Sequence, residues 1–395
     1  MNRKWAVAIL LSAVLIVVLF AGVHSLFGGN GAAQNIDVYV GVDAAYDNMT
    51  DLKARIDQVK DYTNLFVLGS TGITLDEAKL NEMCEYITAS GLYFATYTHT
   101  TENSTFNFNQ SAWTAYAKQH WGNEFLGLYS YDEPGGHQID SDHPYMIVPT
   151  ADNYTDAANT YVRNLHTYIS EFLALNTTLM TSDYALYEYD FRAGYNIVLA
   201  EYAWNHSRPI NTALCRGSAT MQGKEWGVML TYTYEQPPYL ASGPELYQDM
   251  VTAYENGAKY ILLFDYAMKN ETRMAHGILQ QEHLDALQQF WEYVKAHPRQ
   301  TVPVSERVAY VLPPDFGYGF RSSDDWVWGI WKDGSLSSQI WNDVNTYAEQ
   351  YGQKFDIIYA DTPNFNTMQY SKLICWNGTI QTQPLPSALL FSALG

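Results

Sequence analysis

From residue 36 to residue 298, short apolar runs alternate with longer amphipathic stretches. The apolar runs lie at residues 36–42, 64–69, 93–98, 125–131, 178–183, 197–201, 227–233 and 260–265. They are rich in β-branched and aromatic residues and lack a polar face, which is the pattern of a strand covered on both sides. The stretches at 51–62, 75–89, 111–120, 157–175, 244–257 and 281–297 carry helical periodicity. Thr74-Leu75-Asp76-Glu77 opens one of them with acids in the first turn. Pro209 predicts a helix through Arg216, whereas residues 184–195 are polar and aromatic and predict none. Eight strands alternating with helices predict an α/β fold, a (β/α)8 TIM barrel. An open doubly wound sheet is the competing arrangement. It is disfavoured because Gly41-Val42-Asp43-Ala44-Ala45, after the first strand, is not a Gly-rich phosphate turn.

The pattern changes at both ends of this block. Past a proline-bounded linker at 298–303, strands at 307–312, 356–360 and 372–376 and a helix at 338–351 predict a small α/β domain over 304–395. Between them lies a loop rich in Gly, Trp and Asp, whose Trp326, Trp328 and Trp331 read as packing between the two domains. At the other end, Asn2-Arg3-Lys4 precedes an uncharged run at 5–23, long enough as a helix to span roughly 28 Å. Basic residues before the run place the N-terminus inside and the remainder outside. Residues 1–25 are thus expected to be one transmembrane signal-anchor, with 26–35 as a Gly/Ala-rich spacer. The rival reading is a cleaved signal peptide, with Val23-His24-Ser25 at the cut. On either reading the protein is expected in the cell membrane facing out, or secreted.

Eight Asn-x-Ser/Thr sequons, at Asn48, Asn103, Asn109, Asn153, Asn176, Asn205, Asn270 and Asn377, fit an exported glycoprotein. The net charge of -20 argues against nucleic acid or an anionic lipid surface as partner. Cys84, Cys215 and Cys375 are odd in number and widely spaced, which gives neither a disulfide framework nor a metal motif. Aromatic residues make up 15% of the chain, and Tyr and Trp suit the stacking of sugar faces.

The chemistry concentrates at the ends of the predicted strands. Leu128-Tyr129-Ser130-Tyr131-Asp132-Glu133-Pro134 runs an apolar strand into an acidic pair and a proline, and Thr231-Tyr232-Thr233-Tyr234-Glu235-Gln236-Pro237 repeats the pattern. In a barrel such residues line one mouth. That set is Asp43, His99, Asp132, Glu133, Asp183, Tyr184, Glu201, Trp204, Tyr234, Glu235, Asp265 and Tyr266. Two carboxyls held ~5–5.5 Å apart repel by about 3 kcal/mol, so one keeps its proton and serves as an acid in glycoside hydrolysis. Glu133 is expected as that acid and Glu235 as the nucleophile, with Glu201 the competitor for the second role. The others are expected to bind substrate, with Trp204, Tyr234 and Tyr266 as stacking platforms.

Glutamates after strands 4 and 7 resemble the acid/base and nucleophile of the large (β/α)8 retaining glycoside hydrolase clan. In that clan an asparagine usually precedes the acid, whereas this chain has Asp132. The small C-terminal unit resembles the domain that follows the barrel in some β-galactosidases. The resemblance implies a retaining glycosidase with a carbohydrate substrate and no cofactor or metal. A non-catalytic carbohydrate-binding protein on a degenerate barrel is the alternative, and Asp132 favours it. A metal-dependent hydrolase is the third reading; the chain has neither His-x-His nor His-Glu-x-x-His.

Overall fold

The computed structural model describes residues 37–100, 105–140, 145–266, 268–269, 272–273, 277–363 and 369–382. The expected anchor and spacer, and the sequons Asn103 and Asn270, lie outside them. Eight parallel strands close into a barrel: β1 (Tyr39–Ala44), β2 (Leu65–Leu68), β3 (Tyr93–Thr98), β4 (Phe125–Ser130), β5 (Leu179–Asp183), β6 (Ile197–Tyr202), β7 (Glu225–Leu230) and β8 (Tyr260–Asp265). β8 pairs back onto β1, with Asp43 opposite Phe264 and Ala44 opposite Asp265.

The helices of this part are α1 (Met49–Val59), α2 (Thr71–Thr74), α3 (Glu77–Ala89), α4 (Gln110–His120), α5 (Pro134–Ile139), α6 (Tyr154–Leu173), α7 (Tyr187–Ala193), α8 (Arg208–Gln222), α9 (Gly243–Glu255) and α10 (Gln281–Ala296). A two-residue ribbon, β9 (Met268–Lys269) with β10 (Thr272–Arg273), follows β8. Three sequon asparagines are helix caps: the Asn48, Asn109 and Asn153 side chains accept backbone N–H groups at the starts of α1, α4 and α6.

Side-chain alternation decides what fills the barrel. Leu65 and Val67 of β2, Met180 of β5, Ile197 and Leu199 of β6 and Leu262 of β8 pack in one buried cluster. The same two-residue period carries Asp43, Ser182 and Glu201 to the inner face at the C-terminal end.

The C-terminal sheet has the order β12-β11-β13-β14, with β11 (Val308–Leu312), β12 (Phe355–Tyr359), β13 (Lys372–Cys375) and an antiparallel β14 (Ile380–Thr382) that the sequence pattern did not indicate. One helix, α11 (Ser335–Tyr351), lies between β11 and β12. Barrel and sheet belong to one compact unit. They meet across α8, where buried Arg216 pairs with Asp356 at 2.7 Å and donates to the Phe355 carbonyl. Trp328 adds a second contact: its ring lies 5.6 Å from Tyr161 and 4.6 Å from Tyr189, and its carbonyl accepts from Gln138.

Besides β14, the sequence reading had no counterpart for α2, α5, β9 and β10, and three further elements differ from it. α7 forms where no helix was expected, because almost every one of its residues is buried and packing outweighs propensity. α8 continues past Arg216 to Gln222 and stops at Gly223, which is left-handed at φ 63°. β7 begins and ends earlier than expected, at Glu225 and Leu230. No helix among the described residues is long and apolar enough to cross a membrane.

Candidate active site at the barrel mouth

The end of β4 turns in a way few sequences tolerate. Tyr131 and Glu133 are both left-handed, at φ 60° and φ 51°, on either side of Asp132. A non-glycine residue in that region costs roughly 1 kcal/mol or more, so the surroundings must hold it there. β5 does so. The Glu133 N–H donates to the Ser182 carbonyl at 3.0 Å, and the Thr181 hydroxyl donates to the Tyr131 carbonyl. Pro134 then opens α5, where its missing N–H costs nothing.

This turn delivers Glu133 to Glu201, on the inner face of β6. The two carboxyls are hydrogen-bonded to each other. Burial, then the charges of Glu201 and Asp132, push Glu133 well above the ordinary carboxyl range. Glu201 is raised to about 8 by burial and by Asp132, against hydrogen bonds from Glu133 and Ser182. Glu133 therefore holds the proton and donates it, and Glu201 accepts.

Ser182 and Tyr129 form the floor. Ser182 Oγ lies 2.6 Å from Glu201 Oε1 and 3.1 Å from Asp132 Oδ1, and Tyr129 OH lies 2.5 Å from Asp132 Oδ1. Each hydroxyl has one hydrogen, so the shortest contacts assign Ser182 to Glu201 and Tyr129 to Asp132. Asp132 is open to solvent yet surrounded by protein, as a residue on the floor of an open pit is. Burial raises its pKa, against the bond from Tyr129. Asp43 completes the group. It is buried, raised well above the usual range by burial and by Asp132 and Asp265, and its Oδ1 has no hydrogen-bond donor.

Other expected residues stand at the rim. His99 is half-buried, its ring edge-on to Tyr97 at 5.1 Å, and burial lowers its pKa. Tyr184 donates to Asp140 at 2.9 Å, and its pKa is raised by burial and then by Glu133. Trp204 is 39% exposed and packs 6.4 Å from Tyr232, whose hydroxyl donates to the Tyr266 carbonyl. Tyr234 is 47% exposed.

Three expected site residues fall elsewhere. Glu235 is exposed, in a loop that carries a cis Pro237-Pro238 bond, five residues past the end of β7. The carboxylate that meets Glu133 is Glu201. Asp183 and Asp265 follow the opposite phase of the strand alternation and turn outward. Asp183 accepts the N–H groups of Gly135, Gly136, Tyr184 and Ala185. Asp265 pairs with Arg55 of α1 at 2.9 Å and accepts from the Ile278 and Leu279 N–H groups. Both oxygens of each are engaged by the scaffold. Ser182 and Tyr129 were missed; each is the next-to-last residue of its strand, in phase with the barrel-core residues and so on the inner face.

Neither a protein-family profile nor a curated protein matches the sequence. The fold, in contrast, has solved relatives. GH5_18 from Streptomyces cattleya, in complex with GlcNAc, superposes with a TM-score of 0.53 at 10% identity, over 86% of this chain and 99% of its own. The polyextremophilic beta-galactosidase of the Antarctic haloarchaeon Halorubrum lacusprofundi superposes with a TM-score of 0.54 at 12% identity, over 86% of this chain and 69% of its own. The class these likenesses define is an eight-stranded α/β barrel of the kind found in glycosidases, with a small second sheet.

Proposed function

We propose that this protein is a glycoside hydrolase in which Glu133 is the general acid and Glu201 the second carboxylate. The proton shared by Glu133 and Glu201 at the barrel mouth carries this reading. A pair in which one carboxyl holds its proton more tightly than the other is what glycosidic cleavage requires, and Glu201, raised to about 8, is the member that ionises first. Glu133 transfers its proton to the leaving oxygen as the glycosidic bond breaks. Glu201 takes the anomeric carbon, and water later displaces it with Glu133 as base.

The closeness of the pair supports retention. Inversion needs ~6.5–9.5 Å for an intervening water, whereas substrate has only to part these side chains to ~5 Å. Trp204 and Tyr234 offer flat faces beside the mouth. Both named structural relatives are glycoside hydrolases by name, one with GlcNAc bound, so pyranosides are the first substrates to screen. The basic-then-apolar pattern before residue 24 supports a membrane-anchored enzyme facing outward.

One observation favours a non-catalytic carbohydrate-binding barrel instead: β7 ends at Leu230 and is followed by Thr231, with no carboxylate where the resembled clan has its nucleophile. A panel of nitrophenyl glycosides separates the two. Turnover that disappears in both Glu133→Gln and Glu201→Gln supports the enzyme, whereas sugar binding without turnover selects the binding protein.

A further inference from the structure

Behind Glu133 lies a second pair of acids, on the outer side of the barrel wall. Asp183 ends β5, and Asp190 lies in the middle of α7. Asp183 Oδ2 accepts the Gly135 N–H, and Oδ1 accepts those of Gly136 at 2.9 Å, Tyr184 at 2.7 Å and Ala185 at 3.1 Å. Asp190 Oδ1 takes the Tyr161 hydroxyl at 2.7 Å. Its Oδ2 receives no donor and is satisfied only by carrying a proton to Asp183. One carboxylate thus collects four N–H hydrogens from two turns that are far apart in sequence, with the Asp190 proton from α7 as a fifth.

We propose that Asp183 is a positioning residue for Glu133: with Asp190 behind it, it clamps the β4–α5 turn onto the β5–α7 turn and holds Glu133 in its left-handed conformation against Glu201. The proposal rests on the reading of Glu133 as the acid. Two features of the chain serve the clamp. A Cβ on Gly135 would lie 2.6 Å from the Ala185 carbonyl oxygen, and one on Gly136 2.3 Å from Tyr184 Cζ, so only glycines let the turns close this far. Left to itself the Tyr131–Glu133 backbone would relax out of the left-handed region, taking Glu133 away from Glu201. On the mouth side Tyr129 holds the Asp132 side chain and Glu201 the Glu133 carboxyl. The bonds on the backbone of the turn itself come from β5 and the turn after it.

Asparagine at 183 has the same shape and half the acceptors. Its amide NH2 must face either Gly135 N–H or the group formed by Gly136, Tyr184 and Ala185. Asp183→Asn is therefore expected to raise amide exchange at Gly135 and Gly136 and to lower kcat by ~10²-fold on a glycoside the parent protein cleaves, with KM within about threefold. Asp190→Ala, which removes the fifth hydrogen, is expected to act in the same direction, and Asp190→Asn, which keeps a donor, to restore protection and rate. Should Asp183→Asn fail to fold, the Asp190 pair of variants tests the same clamp. Unchanged exchange at Gly135 and Gly136, or a fall in rate expressed wholly in KM, overturns the proposal. If the parent protein cleaves no glycoside, the functional reading fails separately, and the exchange data still decide whether the clamp exists.

Discussion

Glu133 and Glu201 share a hydrogen bond across the barrel mouth, although their strands, β4 and β6, are not neighbours. Ser182, on the strand between them, sets the distance: its backbone carbonyl holds the Glu133 N–H and its hydroxyl bonds Glu201. One residue of β5 thus registers both carboxyls.

Replacing Glu133 by Gln removes the proton that the leaving group needs. A fall of ~10²-fold or more in turnover is expected, smallest for glycosides with activated leaving groups. The pH profile of kcat/KM in the parent protein should be a bell belonging to the coupled pair. Because both groups are raised, both limbs should lie above the ordinary carboxyl range. A profile with an acid limb near pH 4 would count against this pair.

Labelling with a 2-fluoro glycosyl donor that leaves a stable ester should place the sugar on Glu201, as a mass shift on the peptide that contains it. Glu235→Gln should change turnover by no more than about twofold, because the side chain stands in solvent. A label on Glu235 would show that the 231–240 loop folds inward when substrate binds.

Stability should fall as pH rises from mildly acidic to mildly alkaline. Burial raises Glu188 to about 8 and, together with Asp315, Asp361 to about 6. The folded state holds these protons at pH values where the unfolded chain has released them. The stabilisation is complete below the ordinary carboxyl range and is lost as pH passes through these raised values. Tm should therefore be higher at pH 5 than at pH 8. Glu188→Gln should narrow that difference, chiefly by raising Tm at pH 8.

The barrel and the C-terminal sheet should stand or fall together at α8. A Cβ on Gly217 would lie 2.2 Å from the Ile357 carbonyl oxygen of β12, so Gly217→Ala must push the sheet away. Arg216→Met would leave Asp356 buried and unpaired, at a cost of about 3–5 kcal/mol. Urea unfolding followed by near-ultraviolet circular dichroism of the interfacial Trp328 would measure both.

Trp204→Ala should raise KM for oligosaccharides more than for short aryl glycosides, since the exposed indole follows β6 three residues after Glu201 and offers a stacking face. Equal effects on both substrates would place Trp204 in the scaffold.

Much of this was legible in the sequence because it depends on local pattern. Eight short apolar runs spaced by amphipathic helices can close in few ways, so the barrel and the small sheet after it followed from periodicity. Glu133 was singled out for a local reason: an acid between a buried strand and a proline has little structural purpose.

The partner of Glu133 was a matter of tertiary structure. Glu201 and Glu235 have similar sequence surroundings. What separates them is where their strands stop. β6 runs on through Tyr202 and keeps Glu201 on its inner face, whereas β7 stops at Leu230 and leaves Glu235 to a solvent loop. That difference arises from pairing with neighbouring strands, and a pattern of apolar residues does not contain it. Asp183 and Asp265 teach the same lesson in reverse. Each is an acid at a strand end, but one step of the two-residue alternation turns it into the helix layer. There backbone N–H groups, and for Asp265 also Arg55, stabilise its charge. The sequence by itself determined the barrel and where its acids gather; the closed sheet, by fixing strand ends and side-chain phase, decided which of those acids face each other.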